Sequence, residues 1–206
     1  MHVPETLPVL SVRISPRLPP DYSCLLYTSF ETLIACSHFQ YTSLFPDALA
    51  LIVTGNDLNF PKSPRSFCNV SVTVTSSFSD KEQLEFLQIW VFPRIENTEP
   101  EYNNYDIRPL LKRNELALII SPDGKVPASI KQDAWFSMGT FDAGKSFEYK
   151  LHQEGNGVYL FIIEGDVEVA GNRLSRRDGI GLWDTKSFKV EITQEATLLL
   201  MEVPMR

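Results

Sequence analysis

Metal and nucleophilic chemistry begins with imidazoles, thiols and carboxylates that can converge on one point. This sequence offers three histidines, His2, His38 and His152, and three cysteines, Cys24, Cys36 and Cys68. No two histidines stand at ligand spacing, and no Cys-x-x-Cys pair occurs. An odd number of widely spaced thiols suggests neither a disulfide framework nor a zinc knuckle. The cysteines therefore read as ordinary thiols. His152 reads as a surface residue, a satisfied core group or a relic of a ligand. One imidazole without a second His or a Glu in register forms no metal site. Glu148 and Glu154, its neighbours in sequence, are expected at solvent-facing positions of the same hairpin.

Three further groups could take part in binding. Trp90, Trp135 and Trp183, with Phe136, Phe141, Tyr149, Tyr159 and Phe161, could line a pocket for a small aromatic ligand. Aromatic side chains more often fill a small barrel's core or a seam to a partner domain, and packing is the reading taken here. Asp133 and Asp184 adjoin these aromatics and are expected to bond backbone amides at strand ends. Arg173, Arg176 and Arg177 form the one tight basic cluster, diluted by Asp178 and Asp184, and read as a solvated turn in preference to an anion site.

The bulk properties narrow the function classes. A formal net charge of −7 and a pI near 5.0 oppose a nucleic-acid surface, which needs a concentrated Lys/Arg field. No apolar run approaches the ~18 residues of a membrane span. The first residues carry His2, Glu5 and prolines where a secretory signal has a basic start and an apolar stretch. A cytoplasmic protein with no nucleic-acid or membrane partner is expected, with its oligomeric state left open. At 206 residues and 43% hydrophobic, the chain can bury a sizeable core.

The elements that must position these side chains change character near residue 80. Residues 1–80 hold eight of fourteen prolines but only Gly55 of ten glycines and only Lys62 among the lysines. Two segments there could be strands. Residues 70–78 alternate Val with Ser and Thr, whereas residues 48–54 could equally form a short helix. From Leu84 onward the texture is all-β, with strands predicted at 85–92, 116–120, 130–138, 145–151, 157–164, 166–170, 173–174, 179–183, 187–192 and 196–203. Strands at this spacing imply a sandwich or barrel. Turns are expected at Ser121-Pro122-Asp123-Gly124 and at Gly171-Asn172, where Gly and Asn tolerate positive φ. Trp90, Val158, Leu160, Ile162 and Leu199 are expected in the core.

An ordered set of phrases then carries a resemblance. Phe86-Leu87-Gln88-Ile89-Trp90-Val91-Phe92-Pro93-Arg94, Pro100-Glu101-Tyr102, Ser121-Pro122-Asp123, Gln132-Asp133-Ala134, Gly181-Leu182-Trp183-Asp184 and Leu199-Leu200-Met201-Glu202-Val203-Pro204 resemble the pirin family in order and rough spacing. The hairpin phrase from Glu164 to Asn172 is similar to the middle of a cupin barrel. The match is to the quercetinase-type C-terminal cupin domain, over about residues 84–206, and the first phrase resembles the linker strand between two pirin barrels. The resemblance implies an all-β, cupin-like antiparallel barrel of the jelly-roll type, preceded by an irregular or degenerate N-terminal region over residues 1–80.

Members of that family are bicupins, some of them quercetin 2,3-dioxygenases and others non-enzymatic regulators. Their N-terminal barrel holds iron through three histidines and a glutamate. The family's His-x-His pair and His-Ser-Glu triplet have no counterpart here, since residues 1–80 contain only His2 and His38 and the stretch before Leu87 reads Thr75-Ser76-Ser77-Phe78. No catalytic, cofactor-binding or metal-ligating residue is carried over, and no cofactor is expected for this chain. Three readings stay open for residues 1–80: a diverged first cupin, a replaced domain, or a stretch translated from a displaced reading frame. Translating the DNA in its other two frames separates the last from the others.

Limited proteolysis tests this division. Prolines remove backbone donors and interrupt ladders, so cleavage is expected within residues 1–80 well before it occurs after Leu84. Mass spectrometry of the first fragments should show a resistant core starting near residues 70–84; equal resistance along the whole chain contradicts the expectation.

Overall fold

The computed structural model describes strands 9–12, 24–27, 33–36, 50–55, 68–73 and 86–91, residue 94, and residues 102–205. The strands in chain order are β1 (Val9–Val12), β2 (Cys24–Tyr27), β3 (Leu33–Cys36), β4 (Ala50–Gly55), β5 (Cys68–Thr73), β6 (Phe86–Val91), β7 (Tyr102–Asp106), β8 (Ala117–Ser121), β9 (Ala128–Ser129), β10 (Trp135–Phe141), β11 (Ser146–Lys150), β12 (Asn156–Val169), β13 (Asn172–Leu174), β14 (Gly179–Leu182) and β15 (Ser187–Pro204). A single 3-10 turn, Arg108–Leu110, is the one helical element among the described residues. No helix among them is long and apolar enough to cross a membrane.

Two compact units result. The first contains β1, β10 to β15 and the start of β8. Its sheet runs in the order β1-β14-β12-β15-β10-β8, with β11 pairing on β15 and β13 on β12. The second contains β2 to β7, β9 and the end of β8. It holds an antiparallel sheet in the order β6-β5-β4-β7, the β2-β3 hairpin, and a parallel pairing of Ile120 and Ser121 with Ala128 and Ser129.

The first unit is organised around β12 and β15. Leu160, Phe161 and Ile162 lie opposite Leu200, Leu199 and Leu198, and all six side chains are buried. Each such side chain contributes about 1.5–3 kcal/mol on burial. In both strands a fully buried stretch adjoins an alternating one. On β15, Phe188, Val190 and Ile192 point inward between exposed Lys189 and Glu191, whereas residues 198–203 are buried without a break. Alternation marks a half-solvated face, and its loss marks burial on both faces. Val158, Leu160, Ile162 and Leu199 are buried as the sequence predicts. The Trp90 side chain lies outside the described residues.

Several boundaries differ from expectation, each for a local reason. The predicted strands 157–164 and 166–170 form one strand, β12, which passes through register shifts between Ile162 and Val167. Gly165 at φ +85° absorbs the bulge: an added Cβ would stand 1.9 Å from the Glu195 carbonyl oxygen. Strands 187–192 and 196–203 likewise merge into β15. The predicted start at residue 130 fails because chain polarity there is used locally. Asp133 donates its N–H to the Gln132 side chain, and Arg94 donates its N–H to the Lys131 carbonyl, so β10 begins only at Trp135.

Turn chemistry also shifts by one residue. Val169 pairs with Asn172, so the hairpin turn is Ala170-Gly171, with φ of 49° and 73°. Asn172 instead donates from Nδ2 to the Ala170 carbonyl. Gly124, at φ +70°, occupies the other predicted turn. Strand β7 has no counterpart in the prediction, since Tyr-Asn-Asn-Tyr-Asp carries little strand propensity. It pairs with β4 at the end of its sheet, where backbone hydrogen bonds suffice. Within residues 1–80, the segment read as strand or helix is strand β4, the Val-rich segment is β5, and β1, β2 and β3 are additional. Strand β6, from the predicted C-terminal region, pairs with β5 in the second unit.

Two substitutions follow from the backbone. Gly165→Ala must both strain φ and displace the Glu195 carbonyl, and is expected to cost about 3 kcal/mol or more of unfolding free energy. Ala170→Asn supplies a residue suited to the first position of this turn and should gain about 0.5–1 kcal/mol. Urea melts of the two variants against the parent check both signs.

Candidate functional site

A charged residue interrupts the most buried stretch of the first unit. Leu198 to Met201 and Val203 are apolar, but Glu202 sits among them with no exposed surface. Strand pairing fixes its place: Glu202 lies opposite Trp135 on β10 and opposite Val158 on β12. A carboxylate there must find donors, because burying it unpaired costs several kcal/mol.

Five donors reach it, from Tyr149 Oη, the His152 backbone N–H, His152 Nδ1, the Gln153 backbone N–H and Asn156 Nδ2. Oε2 accepts from Tyr149 and from His152 Nδ1, both at 2.9 Å. Oε1 accepts from Gln153 N at 3.0 Å and from Asn156 Nδ2 at 2.8 Å, and the His152 N–H stands 2.9 Å from each oxygen. Four of these donors belong to the connection from β11 to β12 or its boundary, so a strand residue from the far end of the chain holds that connection in shape. With about four lone-pair positions, the carboxylate is saturated.

The local sequence explains why the donors converge. Gly155, at φ +81°, turns the chain between Glu154 and Asn156. Tyr149 is an inward position of β11, between outward Glu148 and Lys150. Burial raises the Tyr149 phenol above its ordinary range, the nearby Glu202 charge and hydrogen bond add to this, and a hydrogen bond from Ser137 acts the other way. His152 stacks on Trp135 at 5.2 Å between centroids, with the rings 4° from parallel. Tyr149 packs at a tilt on both His152 and Phe188.

The same bonds orient the imidazole, with Nδ1 2.9 Å from Oε2. Nε2 is then left as the outer nitrogen of a side chain that is 32% exposed. What the arrangement can do chemically is present one fixed, carboxylate-backed imidazole. It does not fit an iron centre. The carboxylate is consumed by N–H and O–H donors, and among the described residues no group of three or more His, Cys, Asp and Glu side chains could hold a metal.

The other predicted residues occupy different surroundings. Glu148 and Glu154 face solvent, Glu148 accepting from Ser187 Oγ and Glu154 lying near Lys186. Asp133 departs from its expected amide-binding role and accepts from Arg94 Nη1 at 3.1 and 3.2 Å. Asp184 is exposed at φ 53°. Phe136, Phe141, Tyr149, Tyr159 and Phe161 are buried, Trp135 is nearly so, and Trp183 is half-buried. The arginine cluster is engaged with acids on the bulged part of β12: Arg176 grips Glu164 through Nε at 2.8–2.9 Å, and Arg173 lies 3.8 Å from Asp166. Arg177 lies 3.8 Å from Glu164, and Asp178 accepts the Ser175 N–H. The side chains of Cys24, Cys36 and Cys68, and His2 and His38 altogether, lie outside the described residues. Glu202 was absent from every candidate set, although a lone acid in a Leu-Leu-Leu-Met run is a detectable signal of a buried, partnered charge.

The two units, built almost wholly of antiparallel strands with a single 3-10 turn among the described residues, define an all-β protein. Residues 118–203 match the family model described as the quercetinase C-terminal cupin domain. That part of the chain resembles a pirin-type C-terminal cupin domain. Among curated relatives, a Pseudomonas aeruginosa protein provisionally named a quercetin 2,3-dioxygenase is 29% identical over 126 residues, covering 60% of this chain and 54% of its own length. The quercetin 2,3-dioxygenase of Escherichia coli K12 is 24% identical over 128 residues, covering 61% and 53%. The chain thus spans about half the length of the curated relatives it matches. Among solved structures, the Escherichia coli pirin YhhW, in complex with nickel(II), superposes with a TM-score of 0.61 at 16% identity, covering 100% of this chain and 95% of the other. A quercetin 2,3-dioxygenase from Acinetobacter baumannii gives 0.57 at 16% identity, covering 100% and 83%. These likenesses establish the cupin fold.

The Glu202 cluster yields a pH-dependent expectation. Because the Tyr149 phenol is held protonated in the fold, its contribution is fully present below the ordinary value of 10.0 and is lost as pH rises above it. Tyr149→Phe should cost about 1–2 kcal/mol at pH 7 and flatten the decline in stability above pH ~10. Glu202→Gln turns an amide toward groups that are already donors and should cost about 3 kcal/mol or more. Urea midpoints measured from pH 7 to 11 read both effects.

Proposed function

We propose that this chain is a pirin-like cupin that acts as a binding or regulatory module and not as a metal-dependent dioxygenase. The observation that carries the proposal is the histidine set. With only His2, His38 and His152 present, no His-x-His pair can be drawn from the chain, and Thr75 to Phe78 stand where the family has its His-Ser-Glu triplet. Dioxygen chemistry at iron needs several neutral imidazoles and a carboxylate on one ion with positions left open. The single imidazole–carboxylate pair at Glu202 is closed on itself, which supports the same reading. A small aromatic or flavonoid-like molecule is the proposed ligand, and the cytoplasm the proposed location.

A second reading, a quercetin 2,3-dioxygenase, draws on the relatives that carry that name. Metal analysis and quercetin turnover on the purified chain separate the two. Iron well below stoichiometry, no quercetin loss under oxygen, and a melting temperature unmoved by a chelator are expected. Iron near stoichiometry with turnover overturns the proposal.

A further inference from the structure

Asn156-Gly157 is the chain's single Asn-Gly pair, and it stands where the Glu202 cluster meets the start of β12. In an open chain this pair is the least durable setting for an asparagine, because glycine has no Cβ to keep its backbone nitrogen away from the preceding side-chain amide. We infer that Asn156 is a site of unfolding-coupled deamidation: the fold protects it, and a chain that has opened and reacted cannot rebuild the Glu202 cluster.

The reaction needs only water as co-reactant. The Gly157 backbone nitrogen attacks Asn156 Cγ, forming a C–N bond and closing a five-membered succinimide. The Asn156 Nδ2 group departs as ammonia, taking the proton that Gly157 gives up. Water then opens either imide carbonyl and leaves aspartate or isoaspartate at 156, with no change of oxidation state.

In the folded chain both reacting groups are held apart. Asn156 is buried, and its Nδ2 donates to Glu202 Oε1 at 2.8 Å. Asn156 and Gly157 pair with Pro204 and Val203 on β15, in an extended backbone that keeps Cγ and the Gly157 nitrogen from closing into a five-membered ring. Packing also favours glycine at 157, since an added Cβ would stand 2.7 Å from Met205 Sδ and 2.8 Å from its Cγ. The labile pair is thus a consequence of the same fold that shields it.

The products do not fit the site. Aspartate replaces the Nδ2 donor with a carboxylate oxygen facing Glu202 Oε1, so two acceptors of like charge meet where neither side chain reaches water. Isoaspartate also inserts a methylene into the backbone beside the Gly157–Val203 pair. Either change makes an opening event irreversible.

The test holds the full chain in mildly alkaline buffer with and without guanidinium chloride, returns samples to native buffer at intervals, and reads tryptic peptide 151–173 by mass spectrometry. Fragmentation separates Asn156 from Asn172, which precedes Arg173. Conversion at Asn156 is expected in denaturant, and at least about tenfold more slowly in the folded sample, where reaction requires opening. Refolded chains should be depleted of the converted peptide relative to chains that fail to refold. Gly157→Ala should react at least about tenfold more slowly than the parent in denaturant, because its Cβ obstructs the attacking nitrogen. Asn156→Asp should lose about tenfold or more in folding equilibrium beyond Asn156→Ala, which removes the donor without adding charge. Equal rates in the two parent samples, an undiminished rate in Gly157→Ala, converted chains refolding as well as unconverted ones, or Asn156→Asp no less stable than Asn156→Ala overturns the inference. If neither variant at 156 folds, the partition of converted peptide between refolded and unfolded parent chains decides.

Discussion

Placing a carboxylate in the fully buried stretch of β15 obliges the chain around it to supply donors. Glu202 takes them from Tyr149 on β11, from the two backbone amides that follow β11, and from Asn156 at the start of β12. An irregular connection is thereby tied to the last strand of the chain. The energetic logic is asymmetric: a satisfied buried carboxylate adds modestly to stability, whereas removing one side of the arrangement leaves groups that water cannot reach. Tyr149, His152, Trp135 and Phe188 are then ordered as consequences of one acid's needs.

The same strand supplies the other constraint. Strand β15 pairs with β10, β11 and β12, so any error in its register would move three partners at once. The bulges between Ile162 and Val167 let β12 stay paired with β15 while its face alternation changes from continuous burial to in-and-out. Gly165 permits this by allowing the Glu195 carbonyl to approach where a Cβ would stand. The acids at and beside this bulge, Glu164 and Asp166, are also those that engage Arg176 and Arg173. The bulge thus turns a basic-looking sequence cluster into a locally neutralised one.

The cupin scaffold and the chemistry carried on it are separate questions. A fold accommodates many functions, and function has to be argued from the side chains placed on it. In this chain the described side chains give a carboxylate–imidazole pair beside Trp135 and Tyr149. Such a pair offers a metal nothing beyond one nitrogen.

Much of the first unit was legible in sequence. Alternation in Phe188 to Ile192 and the unbroken apolar run at Val158 to Ile163 determine strands and core residues, because solvent exposure and strand period are local properties. Residue types alone also set the histidine poverty on which the proposed function rests. Other features were decided only by tertiary structure. Whether residues 164–166 end a strand or bulge within it depends on the Glu195 backbone lying opposite. Strand β7 exists because β4 offers it a ladder, not because Tyr-Asn-Asn-Tyr-Asp favours extension. Asp133 meets Arg94, thirty-nine residues away, in place of nearby amides. His152 looked solitary because Glu202 lies fifty residues further along the chain, and no local period reports a contact across that separation. Antiparallel pairing of β11 with β15 and of β15 with β12 brings them together, and burial then makes their hydrogen bond obligatory.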